Sequence, residues 1–73
     1  MAPVTYKNQT PDNIRYGDIV IDHLGREYEA YSDAIKDQWN QWNVKTRDGR
    51  LYAYEMTDLV TITYVEATEY DYV

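Results

Sequence analysis

Apolar and polar residues along this chain alternate in short runs, broken by turns rich in Gly, Asp and Asn. The first clear run is Asp18-Ile19-Val20-Ile21-Asp22, three β-branched residues between two carboxylates, which predicts a strand. His23-Leu24-Gly25 then turns, with Gly25 supplying a permissive φ. Arg26–Tyr31 alternates, with Tyr28 and Ala30 on one face and Glu27, Glu29 and Tyr31 on the other. Trp42–Arg47 alternates again and places Trp42, Val44 and Thr46 together. Asp48-Gly49 reads as a two-residue hairpin because both positions tolerate positive φ. Arg50–Met56 is the return strand, Thr57-Asp58-Leu59 a short turn, and Val60–Tyr64 a closing strand of period two.

Between these strands, Ser32–Asn40 is ambiguous. Ser32 suits a helix cap, Asp33 suits a first turn, and Ile35, Trp39 and Trp42 recur at helical spacing. The preferred expectation is one to two helical turns at about 33–39, and the alternative is a long loop. Residues 1–13, with Pro3 and Pro11, read as an N-terminal arm with at most an edge strand around Val4–Tyr6. Residues 14–64 form the folded body, and 65–73 read as an acidic C-terminal tail.

Composition narrows the function classes. The chain has 73 residues, enough for one small domain whose core rarely yields more than ~3–5 kcal/mol net. It has no cysteine and one histidine, so neither a disulfide nor a thiolate metal site is available. Packing must come from aliphatic side chains, nine Tyr and two Trp. Thirteen acidic against seven basic residues give a net charge of −6, which argues against direct binding to DNA or an anionic membrane. No apolar run approaches the ~20 residues of a spanning helix, and the first residues lack a basic-then-apolar leader. A cytoplasmic location is the expectation. Asn8-Gln9-Thr10 matches a glycosylation acceptor, a short pattern read here as chance.

The cadence of Gly17–Asp22, Gly25–Tyr28, Asp48-Gly49-Arg50 and Thr57–Ile62 resembles small SH3-like barrels, as in KOW-type modules and short phage proteins. The likeness covers residues 14–64 and is one of architecture. It implies a mostly β fold, an antiparallel barrel of about five strands, and a phage-type regulator as the functional class. Tyr31-Ser32-Asp33-Ala34 stands where KOW modules usually carry a glycine-rich turn.

No catalytic set emerges from the residues. Asp18, Asp22, Glu27 and Glu29 lie on adjacent predicted strands, but paired-acid chemistry needs one carboxyl in an apolar pocket. His23 sits in a turn, and Ser32 and Thr57 have no histidine positioned as a base. No calcium-binding loop is present. The expectation is a non-enzyme without cofactor or metal.

What remains is a contact surface. Lys45, Arg47 and Arg50 surround the Asp48-Gly49 hairpin as a cationic tip, with Tyr52 and Tyr54 nearby. Of the two tryptophans, Trp42 is the better core anchor, leaving Trp39 as an interface residue. The expected partner-binding set is Trp39, Lys45, Arg47, Arg50, Tyr52 and Tyr54. The leading reading is a regulator or inhibitor that binds a larger protein or complex, with bacterial RNA polymerase the first candidate. A second reading is a DNA mimic using Glu27, Glu29, Glu66, Glu69 and Asp71 against a nuclease or DNA-binding protein. A third is a structural, oligomeric virion component; the sequence leaves the oligomeric state open.

Overall fold

The computed structural model describes residues 3–65. Its strands in chain order are β1 (Pro3–Gln9), β2 (Ile19–Ile21), β3 (Glu27–Glu29), β4 (Ile35–Lys36), β5 (Trp42–Lys45), β6 (Leu51–Tyr54) and β7 (Val60–Val65). A single 3-10 turn, Pro11–Asn13, separates β1 from β2, with Pro11 in its first turn. The strands form two antiparallel sheets, β1-β7-β2-β3 and β4-β5-β6. The described residues are therefore mostly β but form no closed barrel.

The two sheets meet where β3 runs on beyond Glu29. Ala30 bridges to Thr46, the Tyr31 amide donates to the Lys45 carbonyl at 2.7 Å, and the Arg47 amide donates to the Glu29 carbonyl at 3.0 Å. β3 thus pairs β2 along its whole length, and its continuation at Ala30 pairs Thr46, the residue after β5. The core sits between the sheets: Ile14, Val20, Ala30, Ala34, Val44, Tyr54, Val60 and Ile62, with Tyr28, Trp42, Tyr52 and Tyr64 packed against it. Each buried Val, Ile or Tyr side chain stabilises the fold by roughly 1.5–3 kcal/mol before entropy is subtracted. The alternation expected in β3, β5 and β7 matches this arrangement, because Tyr28, Val44 and Ile62 all face inward, as does Val20 of β2.

Three hairpins share one local design. Asp22 to Arg26, Asp37 to Gln41 and Thr46 to Arg50 each close on three intervening residues, with amide-to-carbonyl bonds of 2.9, 2.9 and 2.8 Å from the first residue to the last. The third loop residue is left-handed in each: Gly25 at φ 82°, Asn40 at 61° and Gly49 at 90°. That is the three-residue hairpin loop, in which a turn is followed by one αL residue. In each, the side-chain oxygen of the opening residue also accepts the amide of the closing one. Asp22 Oδ1 accepts from Arg26 at 2.9 Å, Asp37 Oδ1 from Gln41 at 3.0 Å, and Thr46 Oγ1 from Arg50 at 2.9 Å.

Three expectations are corrected here. The helix expected at about 33–39 is absent; β4 and the Asp37–Gln41 hairpin occupy that stretch. The cap and first-turn residues expected to start it are engaged elsewhere. Ser32 Oγ accepts the Lys45 amide at 3.0 Å, and Asp33 Oδ1 accepts the Tyr16 amide at 2.8 Å. The Asp48-Gly49 loop has three residues, not two, because Thr46 and not Arg47 pairs with Arg50. Residues read as an N-terminal arm form β1, seven residues long, along the outer side of β7. A register shift between Tyr6 and Gln9, with Asn8 at φ 58°, bends it. The acidic tail, apart from the end of β7, lies outside the described residues. Among the described residues no helix is long and apolar enough to cross a membrane.

Candidate functional site

The three-residue loop at Arg47–Gly49 decides what the molecule displays. Pairing Thr46 with Arg50 propagates to Val44 opposite Tyr52 and Trp42 opposite Tyr54. Residues directly opposed share a face, so Tyr52 and Tyr54 turn inward with Trp42 and Val44. The other parity, Lys45 opposite Leu51 and Asn43 opposite Ala53 and Ile35, faces outward. Ile35 is 64 % exposed and Leu51 68 %. Trp39, at the middle of the Asp37–Gln41 loop, is 72 % exposed. The outer face of β4-β5-β6 therefore exposes Ile35 and Leu51 on its two outer strands, with Asn43 and Lys45 on the central strand between them and a tryptophan beyond one end.

The expected contact set divides on this geometry. Trp39, Lys45, Arg47 and Arg50 are exposed, but Trp39 and the Arg47–Arg50 turn lie at opposite ends of β5. Four strand residues at roughly 3.3 Å each keep the two turns apart. The arginines are also compensated. Arg47 Nη1 lies 3.0 Å from Glu29 Oε2, and Arg50 Nε lies 3.4 Å from Asp48 Oδ2. Both pairs are largely exposed and contribute little to stability, yet they neutralise the two arginines of the expected cationic tip. Tyr54 leaves the set entirely, since it is fully buried. It is the large core anchor, a place expected for Trp42, which is only half-buried against the core.

Tyr54 is held by a polar network. Its hydroxyl donates to Asp22 Oδ2 at 2.9 Å and accepts from the Tyr28 hydroxyl at 2.8 Å. Arg26 Nε donates to the same Asp22 oxygen at 2.7 Å, while its guanidinium lies 3.9 Å above the Tyr52 ring. Tyr52 in turn meets Tyr28 edge-on at 5.1 Å. Burial alone would raise the pKa of Asp22. The Arg26 amide and guanidinium, the Tyr54 hydroxyl and the Leu24 amide outweigh it and hold the carboxyl below its usual value. Burial pushes Tyr28 up to about 12 and raises Tyr54 as well, where the Tyr28 and Asp22 contacts add to the shift. These groups stay in single protonation states near neutrality and act as a structural clamp.

The four carboxylates considered for acid chemistry do not converge. Asp18 and Asp22 have the inward parity of Val20, whereas Glu27 and Glu29 lie opposite Ile21 and Ile19 on the outer face. Glu29 is tied to Arg47, and Glu66, Glu69 and Asp71 lie outside the described residues. His23 packs edge-on against Tyr54 at 5.8 Å, with Nε2 3.8 Å from Asp58 Oδ1. Ser32 accepts a backbone bond. No group of three or more potential metal ligands occurs among the described residues.

Ile35 and Leu51 are the surface residues that sequence reasoning missed. A two-residue loop would have set Val44 against Ala53 and turned Leu51 inward, because a one-residue slip exchanges the faces of a strand. The signal that reveals the correct loop is the repeated spacing in Asp22-x-x-Gly25-Arg26, Asp37-x-x-Asn40-Gln41 and Thr46-x-x-Gly49-Arg50. Comparison with protein families, with curated proteins and with solved structures finds no match to this chain.

Proposed function

We propose that the protein is a non-enzymatic binding module that docks on a larger protein through the outer face of β4-β5-β6. The observation that carries this reading is the exposure of Ile35, Trp39 and Leu51 on and beside one small sheet. In a domain so short of core, three large apolar residues left in water are a cost to solubility unless a partner covers them. Tryptophan in such a place is a frequent interface anchor, and Asn43 and Lys45 on the central strand supply polar contacts beside the apolar ones. The serial order β7-β2-β3, continued through Ala30 to β5 and β6, supports reading the fold as an opened SH3-like barrel with β1 added outside β7. The net charge of −6 favours a basic partner surface, and a phage-type regulator of a large host machine such as bacterial RNA polymerase fits that chemistry.

The test is capture of partners from a bacterial lysate, and of purified RNA polymerase, at low and high salt. Wild-type protein is compared with Trp39→Ala, Leu51→Ser and Arg47→Ala. The reading expects a partner that survives high salt, is lost with Trp39→Ala or Leu51→Ser, and is retained by Arg47→Ala. Equal recovery by wild type and both face variants contradicts it.

A further inference from the structure

A second feature lies away from that face. A groove of about 560 Å3 opens between the end of β1, β7 and the turn before β2, with Tyr6, Tyr16 and Tyr64 among its walls. Tyr6 and Tyr64 stack on each other at 5.8 Å, and Tyr16, 62 % exposed, leans on Tyr31 at 5.3 Å. Asp18 also lines the groove and is only 7 % exposed.

The electrostatics of Asp18 are incomplete. Its Oδ2 accepts the Arg15 amide at 2.8 Å, but it has no ion-pair partner among the described residues. Arg15 also lines the groove, yet its guanidinium donates elsewhere, to the carbonyls of Asp12 at 2.7 Å and Ile14 at 3.1 Å. Burial raises the pKa of Asp18 and Asp33 adds to it, against the lowering effect of the Arg15 amide and charge. A nearly buried carboxylate that makes no ion pair of its own gains most from a cation brought to it. Tyrosine rings attract the same charge through their faces and offer apolar surface to an alkyl stem.

We propose that this groove binds an alkylammonium group, with Asp18 as its counter-charge and Tyr6, Tyr16 and Tyr64 as its aromatic walls. A lysine side chain of a basic polypeptide and a free small amine share that chemistry. The site is independent of the Trp39 face, so its failure leaves the docking reading untouched.

The experiment titrates the whole chain, followed by two-dimensional NMR at constant ionic strength. The probes are n-butylammonium, the peptide Gly-Lys-Gly and its Nζ-acetylated form, with sodium chloride as the control. Saturable shifts at Gly17, Asp18, Tyr6 and Tyr16 are expected with both cationic probes, and none with the acetylated peptide. Tighter binding of the peptide assigns a polypeptide ligand; equal or tighter binding of butylammonium assigns a small amine. Asp18→Asn weakens binding by about tenfold or more, the loss expected for a charge-assisted contact. Tyr16→Ala, at an exposed position, weakens it about threefold to tenfold through the lost cation–π contact and decides the matter if the Asp18 variant fails to fold. The proposal is overturned by shifts that do not saturate, by equal binding of the acetylated peptide, or by wild-type affinity in the folded variants.

Discussion

The Asp22–Arg26 and Asp37–Gln41 hairpins are built alike and serve opposite ends. Each opens with an aspartate whose Oδ1 accepts two amides, those of Leu24 and Arg26 at 3.0 and 2.9 Å, and those of Trp39 and Gln41 at 2.8 and 3.0 Å. They differ in what the second carboxylate oxygen meets. Asp22 Oδ2 is buried and binds Tyr54 and Arg26, so the turn is bolted to the core. Among the described residues Asp37 Oδ2 meets only the Asn43 side chain, at 2.7 Å, and the turn stands outside carrying Trp39. Local turn chemistry is therefore common currency in this chain, and tertiary contacts decide whether a turn secures the fold or presents a side chain.

The sharpest way to break the comparison is at the point where the first hairpin meets the core. Tyr54→Ala removes a fully buried aromatic ring and should cost about 3–5 kcal/mol, most or all of the stability such a domain has. Urea unfolding would detect this as loss of the cooperative transition, and a near-normal midpoint would contradict the assigned role. Asp22→Asn follows, at about 1.5–3 kcal/mol, because it removes a charge-assisted bond and leaves Arg26 beside Tyr52 without its partner.

Acid should separate the same residue from the rest. The folded pKa of Asp22 lies below its unfolded value, so its contribution is present above the unfolded pKa of about 3.9 and is lost as pH falls through the folded one. The unfolding midpoint of the wild type should fall below about pH 4, with a shallower decline in Asp22→Asn. Asp37 and Asp48 are shifted in the same direction, Asp37 chiefly by the Asn43 side chain and Asp48 chiefly by the Thr46 hydroxyl, so some slope should remain. An identical pH profile in the variant would remove Asp22 from the clamp.

Smaller effects belong to the loops. Gly49→Ala meets no neighbouring atom, yet a side chain at φ 90° is strained, and a loss of about 1–2 kcal/mol is expected by urea titration. Trp39→Ala should change stability by no more than about 0.5 kcal/mol while abolishing partner binding. A large destabilisation there would mean that the second hairpin also secures the core.

Much of this was legible in the residues, and each miss has a physical origin. Alternation in β3, β5 and β7 shows the inward faces because Tyr28, Val44 and Ile62 are flanked by polar neighbours. Leu51-Tyr52-Ala53-Tyr54 contains no such contrast, so only the loop length tells which side faces in. Asp48-Gly49 is a strong two-residue signal, but the Thr46 hydroxyl reaching the Arg50 amide stabilises the longer loop. From that single residue followed both Tyr54 as a contact and the neglect of Leu51. At 33–39 the helical spacing of Ile35, Trp39 and Trp42 competed with a hairpin whose αL residue is Asn rather than Gly. The tyrosine groove depends on β1 reaching β7, a pairing between distant segments that no local pattern encodes.

The register of β5 against β6 is the claim on which core and surface both rest. Cross-strand proton contacts measured by NMR test it directly. The account predicts that Val44 lies opposite Tyr52 and Trp42 opposite Tyr54; contacts placing Val44 opposite Ala53 and Trp42 opposite Glu55 would contradict it.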